Sequence, residues 1–224
     1  MNFLSHFYFD RHSTDSNLIL GTVLPDLIKN ANKTWTLHPQ KHVQLFSHDE
    51  KLLSILEGWK RHLLVDRYFH ASDFFCEHTA VIRAAIAPLL TDSPVRPSFL
   101  SHIALELMLD SLLITENIID AGDFYKHLQQ ADHEVLTEFL ELNNITNKAV
   151  FFQFFNRFIE SAYLNQYRDP DHILYALNRI CMRIWDDPMN KMQQESLRIV
   201  LLSYQAILKN SFMNIFKNID TSLI

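Results

Sequence analysis

Three glycines in 224 residues are too few for the turns of a β-rich fold, and seven prolines add little turn material. Cysteine is almost as scarce. Cys76 and Cys181 lie far apart and form no C-x-x-C pattern, so a reducing cytoplasm suits them best. No run of Lys and Arg occurs. The net charge is −6 with a sequence pI near 6.0, which argues against nucleic-acid binding through a broad basic surface. Also missing is any stretch of eighteen uninterrupted apolar residues. The opening MNFLSHFYFDRH has no basic n-region, and His6 and Asp10 break its apolar character. Neither a signal peptide nor a membrane span is expected, and the protein reads as soluble and cytoplasmic.

What remains is rich in core material. Hydrophobic residues make up 48% of the chain, with seventeen Phe. The length suits one domain over residues 1–224, and apolar periodicity reads as helix throughout, giving an all-α bundle. Residues 1–9 fit a short strand or a first helical turn. Pro25 predicts an end or kink after Leu24. Residues 30–49 look like the longest loop. Helices are expected over 51–75, 78–90, 99–117, 123–142, 149–163, 173–184 and 191–218. The phenylalanines at 151, 152, 154, 155 and 158 read as core, or as the contact of a homodimer.

The chemistry concentrates on two stripes. His62, Asp66 and His70 fall at i, i+4 and i+8, as do His102, Glu106 and Asp110. Four helical residues advance about 400° and rise roughly 6 Å, so each trio lines one face. Ionisable groups on an otherwise apolar helix are costly to bury unless they are paired or bind metal. Two such stripes facing each other need cations between them. Imidazole with carboxylate suits a divalent ion: Mn, Fe, Zn or Mg. The third member of each stripe lies about 12 Å along the axis from the first, so six groups cannot share one ion. Asp26, after Pro25, is a further carboxylate held on a stiff backbone, or else a cap for the next helix. A bound ion lowers the pKa of its water and polarises a P–O bond, which points to phosphoester hydrolysis. The competing reading is a helical scaffold that lacks activity and whose stripes are hydrogen-bonded polar networks.

Five blocks in order, MNFLSHFYF, GTVLPDLIK, GWKRHLLVDRYF, ELMLD and YRDPDHILYALNRICMR, resemble the acyl carrier protein phosphodiesterase family. The resemblance implies an HD-domain-like, metal-dependent hydrolase, typically using Mn. Such an enzyme removes 4′-phosphopantetheine from holo acyl carrier protein. It places His6, Asp26, His62, Asp66, Glu106 and Asp110 at metal or catalytic positions, with Asp26, Asp66 and Asp110 as the catalytic carboxylates. Arg168 and Arg183 fall where the family has arginines that can grip phosphate. The chain departs from the family pattern at Leu63 and Leu64, where a basic pair is usual. His70 and His102 are additional to that pattern. The spacing of Asp26, His38 or His42, His62, Asp66, His70, His102 and Glu106 is similar to zinc-dependent phospholipase C. That family is exported and uses an N-terminal Trp ligand, and neither a signal peptide nor such a Trp is expected for this chain. An activity on lipid or nucleotide phosphodiesters is therefore the alternative expectation. Docking an acidic carrier protein needs a local basic patch, for which Lys29, Lys33, Lys41, Lys60, Arg61 and Arg67 are the candidates.

Overall fold

Side-chain caps punctuate the chain. Asp15, Ser72, Asp120, Asp132, Asp169 and Asn190 each accept a hydrogen bond from a first-turn amide and so start a helix. In the computed structural model, which describes Met1–Leu223, eleven α-helices and four short 3-10 turns form all the regular structure. No strand occurs among the described residues. The helices are α1 (Phe3–Asp10), α2 (Ser16–Ala31), α3 (Glu50–His70), α4 (Asp73–Ile86), α5 (Pro97–Thr115), α6 (Ala121–Gln130), α7 (His133–Leu142), α8 (Lys148–Ser161), α9 (Pro170–Cys181), α10 (Lys191–Leu208) and α11 (Met213–Ser222). The all-α class is as the composition required.

Several boundaries differ from the periodicity, and each difference has a local cause. The helix expected over 51–75 stops at His70, because Ser72 caps a new helix through the Phe75 amide. The stretch 123–142 is two helices, because Asp132 turns the chain and caps the second. The stretch 191–218 likewise breaks after Leu208. At Pro25 the helix does not end: α2 runs on to Ala31 with the proline inside it. Its buried stripe from Ile19 to Ile28 supplies packing that outweighs one missing backbone hydrogen bond.

The chain groups into two compact units. One comprises residues 1–5, 67–118 and 166–224. Within it α5 packs on α4 and α9, and α10 on α4 and α9. By length and composition α5 could cross a membrane, but 67% of its apolar window is buried, as befits a core helix. The other unit comprises residues 6–66 and 119–165, with α2 packed on α6 and α8. Phe151, Phe155 and Phe158 of α8 are core there, while Phe152 and Phe154 are half-buried.

In this second unit α2 and α3 touch backbone to backbone. A Cβ added to Gly21 would lie 2.9 Å from Gly58 Cα, and one added to Gly58 would lie 2.8 Å from Gly21 Cα. Only glycine fits at either position. Two of the three glycines in the chain are spent on this one crossing.

Candidate metal centres

The α2–α3 crossing sets up the first group. It brings the Thr22 carbonyl to 2.9 Å from His62 Nδ1. A carbonyl can only accept, so Nδ1 carries a proton and donates, and in the neutral ring that tautomer leaves the lone pair on Nε2. That nitrogen is turned towards carboxylates, 3.6 Å from Asp66 Oδ2 and 4.0 Å from Asp26 Oδ1. Metal-binding histidines characteristically have their other ring nitrogen tied in this way.

His6 of α1 completes the group. Its ring stacks on His62 with centroids 3.9 Å apart. Nε2 lies 3.3 Å from Asp66 Oδ1, an ion-pair distance, but neither ring nitrogen of His6 makes a hydrogen bond of proper geometry. His6 is 1% exposed, and buried polar atoms are seldom left so. Burial, and then the neighbouring His62, hold its pKa down to about 3, so the imidazole is neutral. Burial pushes Asp66 upward, but the facing imidazoles outweigh this and hold the carboxylate below its ordinary range. Neutral imidazole with ionised carboxylate is the protonation state a divalent cation requires. His6, His62 and Asp66 offer ligand atoms within 4.8 Å of one another, and the group can hold a metal ion. Asp26, about one-third exposed, stands beside it.

The second group lies in the other unit: His70 from the end of α3, with His102 and Glu106 from α5. Three atoms converge here. His70 Nε2 is 3.1 Å from His102 Nε2, His102 Nε2 is 2.9 Å from Glu106 Oε1, and His70 Nε2 is 3.4 Å from the same oxygen. Protons cannot satisfy this triangle. If both imidazoles donate to Glu106, two N–H groups confront each other at 3.1 Å. If one donates to the other, a lone pair confronts the carboxylate. A cation satisfies all three edges together. With metal–nitrogen distances of about 2.0–2.1 Å, neighbouring ligands of a tetrahedral ion stand about 3.3 Å apart, close to the spacing here. Phe75 lies edge-on to both imidazoles at 5.0 Å and fixes the ring planes. Burial opposes ionisation of Glu106, but the Met1 amino group at 3.3 Å and the two histidines hold its pKa below the usual carboxylate value.

The remaining expected site residues lie elsewhere. Asp110 is fully buried, and its oxygens accept from Leu4 N (3.1 Å), Ser5 N (2.8 Å) and Ser5 Oγ (2.6 Å). It caps the first turn of α1 and belongs to neither ligand group. Burial pushes its pKa up to about 7 against the pull of these three donors. Arg168 is exposed, with Nη1 3.4 Å from Asn117 Oδ1, and Arg183 is exposed beyond the end of α9. His38 and His42 are exposed beside 3-10 turns and belong to neither group. Of the basic residues expected to form a docking patch, Arg61 is paired with Asp10 and Lys60 with Glu57. Lys29 donates to Thr36. Thr22, Gly21 and Gly58 are the positioning residues that sequence reasoning missed. A G-x-x-x-P-D block with a glycine four residues before the histidine was the available signal.

The chain matches no family model, no curated protein and no solved structure.

Proposed function

We propose that the protein is a metal-dependent phosphodiesterase whose catalytic ion is held by His6, His62 and Asp66, with Asp26 alongside. The observation that carries this reading is the buried His6–His62 pair. One imidazole has its tautomer set by the Thr22 carbonyl, and the other has no hydrogen bond of its own. Bound there, a divalent ion supplies a water with a pKa near 7 and polarises the phosphoryl oxygen. Asp26, the carboxylate that stands beside the ligand trio, accepts the proton of the attacking water. Asp66 holds the imidazoles in register, and His6 stays neutral.

The resemblance of the five sequence blocks to acyl carrier protein phosphodiesterases is the support for the substrate: the 4′-phosphopantetheine ester of a holo carrier protein. Water attacks phosphorus and the bond to the serine oxygen breaks. The products are the apo carrier protein, with its serine hydroxyl restored, and free 4′-phosphopantetheine. Arg168 and Arg183 are the proposed contacts to the phosphorylated partner, and Mn is the first metal to try.

The test uses untagged protein. Metal content is measured directly. Holo carrier protein is then incubated with enzyme and Mn, and its mass is followed for a loss equal to phosphopantetheine. His62→Ala and Asp66→Ala should abolish the loss. Protein that purifies metal-free and stays inert to added Mn and Zn overturns the reading. The meeting of His70, His102 and Glu106, which the carrier-protein family pattern does not require, favours a second reading: hydrolysis of a lipid or nucleotide phosphodiester. A panel of small phosphodiesters separates the two.

A further inference from the structure

Beside the second ligand group is a cavity of about 340 Å³, within the size range that seats a small molecule. It lies between α4 and the start of α5, within one compact unit. His102 forms part of its wall, so the cavity borders the group that can hold an ion. Phe75 forms another part and supplies an apolar surface.

The polar lining is selective in sign. Arg83, in the last turn of α4, lines the cavity and is exposed. No carboxylate pairs with it among the described residues, whereas Arg61 and Arg198 each have an aspartate. No Asp or Glu lines the cavity. Ser98, in the first turn of α5, also lines the cavity. That helix begins at Pro97, and its N-cap residue Arg96 makes no side-chain cap hydrogen bond, so no cap side chain claims the first-turn amides. The positive end of the α5 dipole and a guanidinium therefore border one space. Thr79 and Ser101 add hydroxyls, which now donate to the Phe75 and Ser98 carbonyls and can rotate towards a ligand.

The geometry points to a binding pocket for a phosphate monoester, its phosphate held by Arg83 and the start of α5 and its organic part against Phe75. The planar, five-donor guanidinium matches two phosphate oxygens at once. The cavity volume leaves room for more than the phosphate alone. This pocket is separate from the His6–His62–Asp66 group and does not rest on the phosphodiesterase reading.

Cys76 gives the test a direct readout. It lines the cavity and is exposed, whereas Cys181, the other thiol, is buried. The full-length protein is treated with a chromogenic disulfide reagent, with increasing phenyl phosphate and, in parallel, with phenol. Phenyl phosphate should slow modification of Cys76 in a saturable way, and phenol should not. Arg83→Ala should weaken that protection roughly tenfold to a hundredfold, the effect of losing a charge-assisted bidentate contact. Arg83→Lys should recover part of it. Circular dichroism and thermal melts confirm that both variants fold. Protection that is absent in the parent protein, equal with phenol, or unchanged in Arg83→Ala overturns the proposal. Running each titration with and without Mn keeps the outcomes apart, because a failure to bind metal leaves the Arg83 result readable.

Discussion

The crossing of α2 and α3 makes a demanding prediction at Gly58. Two effects of Gly58→Ala oppose each other. In a helix interior, Ala is favoured over Gly by about 1 kcal/mol, so propensity alone predicts a more stable protein. Packing predicts the reverse. The new Cβ would sit 2.8 Å from both Cα and the carbonyl carbon of Gly21, and nearer still to the Leu18 carbonyl oxygen. Carbon atoms pack at about 3.5–4.0 Å, so the helices must separate by roughly 1 Å. The obstacle is backbone, and no rotamer change relieves it. Overpacking of this kind costs about 1–3 kcal/mol or more and outweighs the propensity gain. A second effect follows from the same displacement. The 2.9 Å contact from His62 Nδ1 to the Thr22 carbonyl bridges these two helices, and moving them apart by that amount breaks it. Losing such an orienting partner lowers metal affinity by about 10–100-fold. Urea unfolding gives the first quantity from a shift in midpoint at constant slope, and titration with Co or Mn gives the second. A Gly58→Ala protein as stable as the parent and unchanged in metal affinity would refute the argument.

Two further outcomes can be measured without knowing a substrate. The pKa of His6 is lowered from 6.5 to about 3 in the fold, so between those values the unfolded chain binds a proton that the folded chain does not. Its stabilising contribution is complete above about 6.5 and is lost as pH falls towards 3. His6→Gln should therefore flatten the acid limb of melting temperature against pH, and an unchanged slope counts against a buried neutral imidazole. Asp110→Ala strands the amides of Leu4 and Ser5 and the Ser5 hydroxyl in a buried place. At about 1–3 kcal/mol for each unsatisfied group, urea unfolding should register a loss of at least about 3 kcal/mol. A loss below 1 kcal/mol would mean that Asp110 is not the pin that holds the start of α1.

The helical stripes were legible because an i, i+4 spacing fixes which side of a helix a residue occupies. They do not fix a partner. His62, Asp66 and His70 share a face of α3, yet His70 joins His102 and Glu106, while His62 and Asp66 join His6. The roughly 12 Å rise from first to third member already forbade one shared ion. How six groups divide depends on tertiary contacts that periodicity does not contain. Asp110 illustrates the same limit, since a carboxylate in phase with two candidate ligands was equally suited to cap α1. Glycine carried a signal that its scarcity hid. A glycine within a helix is unfavourable by about 1 kcal/mol relative to Ala, so Gly21 and Gly58 need a compensating reason in a chain that otherwise avoids the residue. That reason is the closeness of two backbones, which delivers a carbonyl to an imidazole. A mid-helix glycine a few residues before a metal-type histidine is thus informative in proportion to how rare glycine is around it. Here it marks the helix pair on which the first group depends.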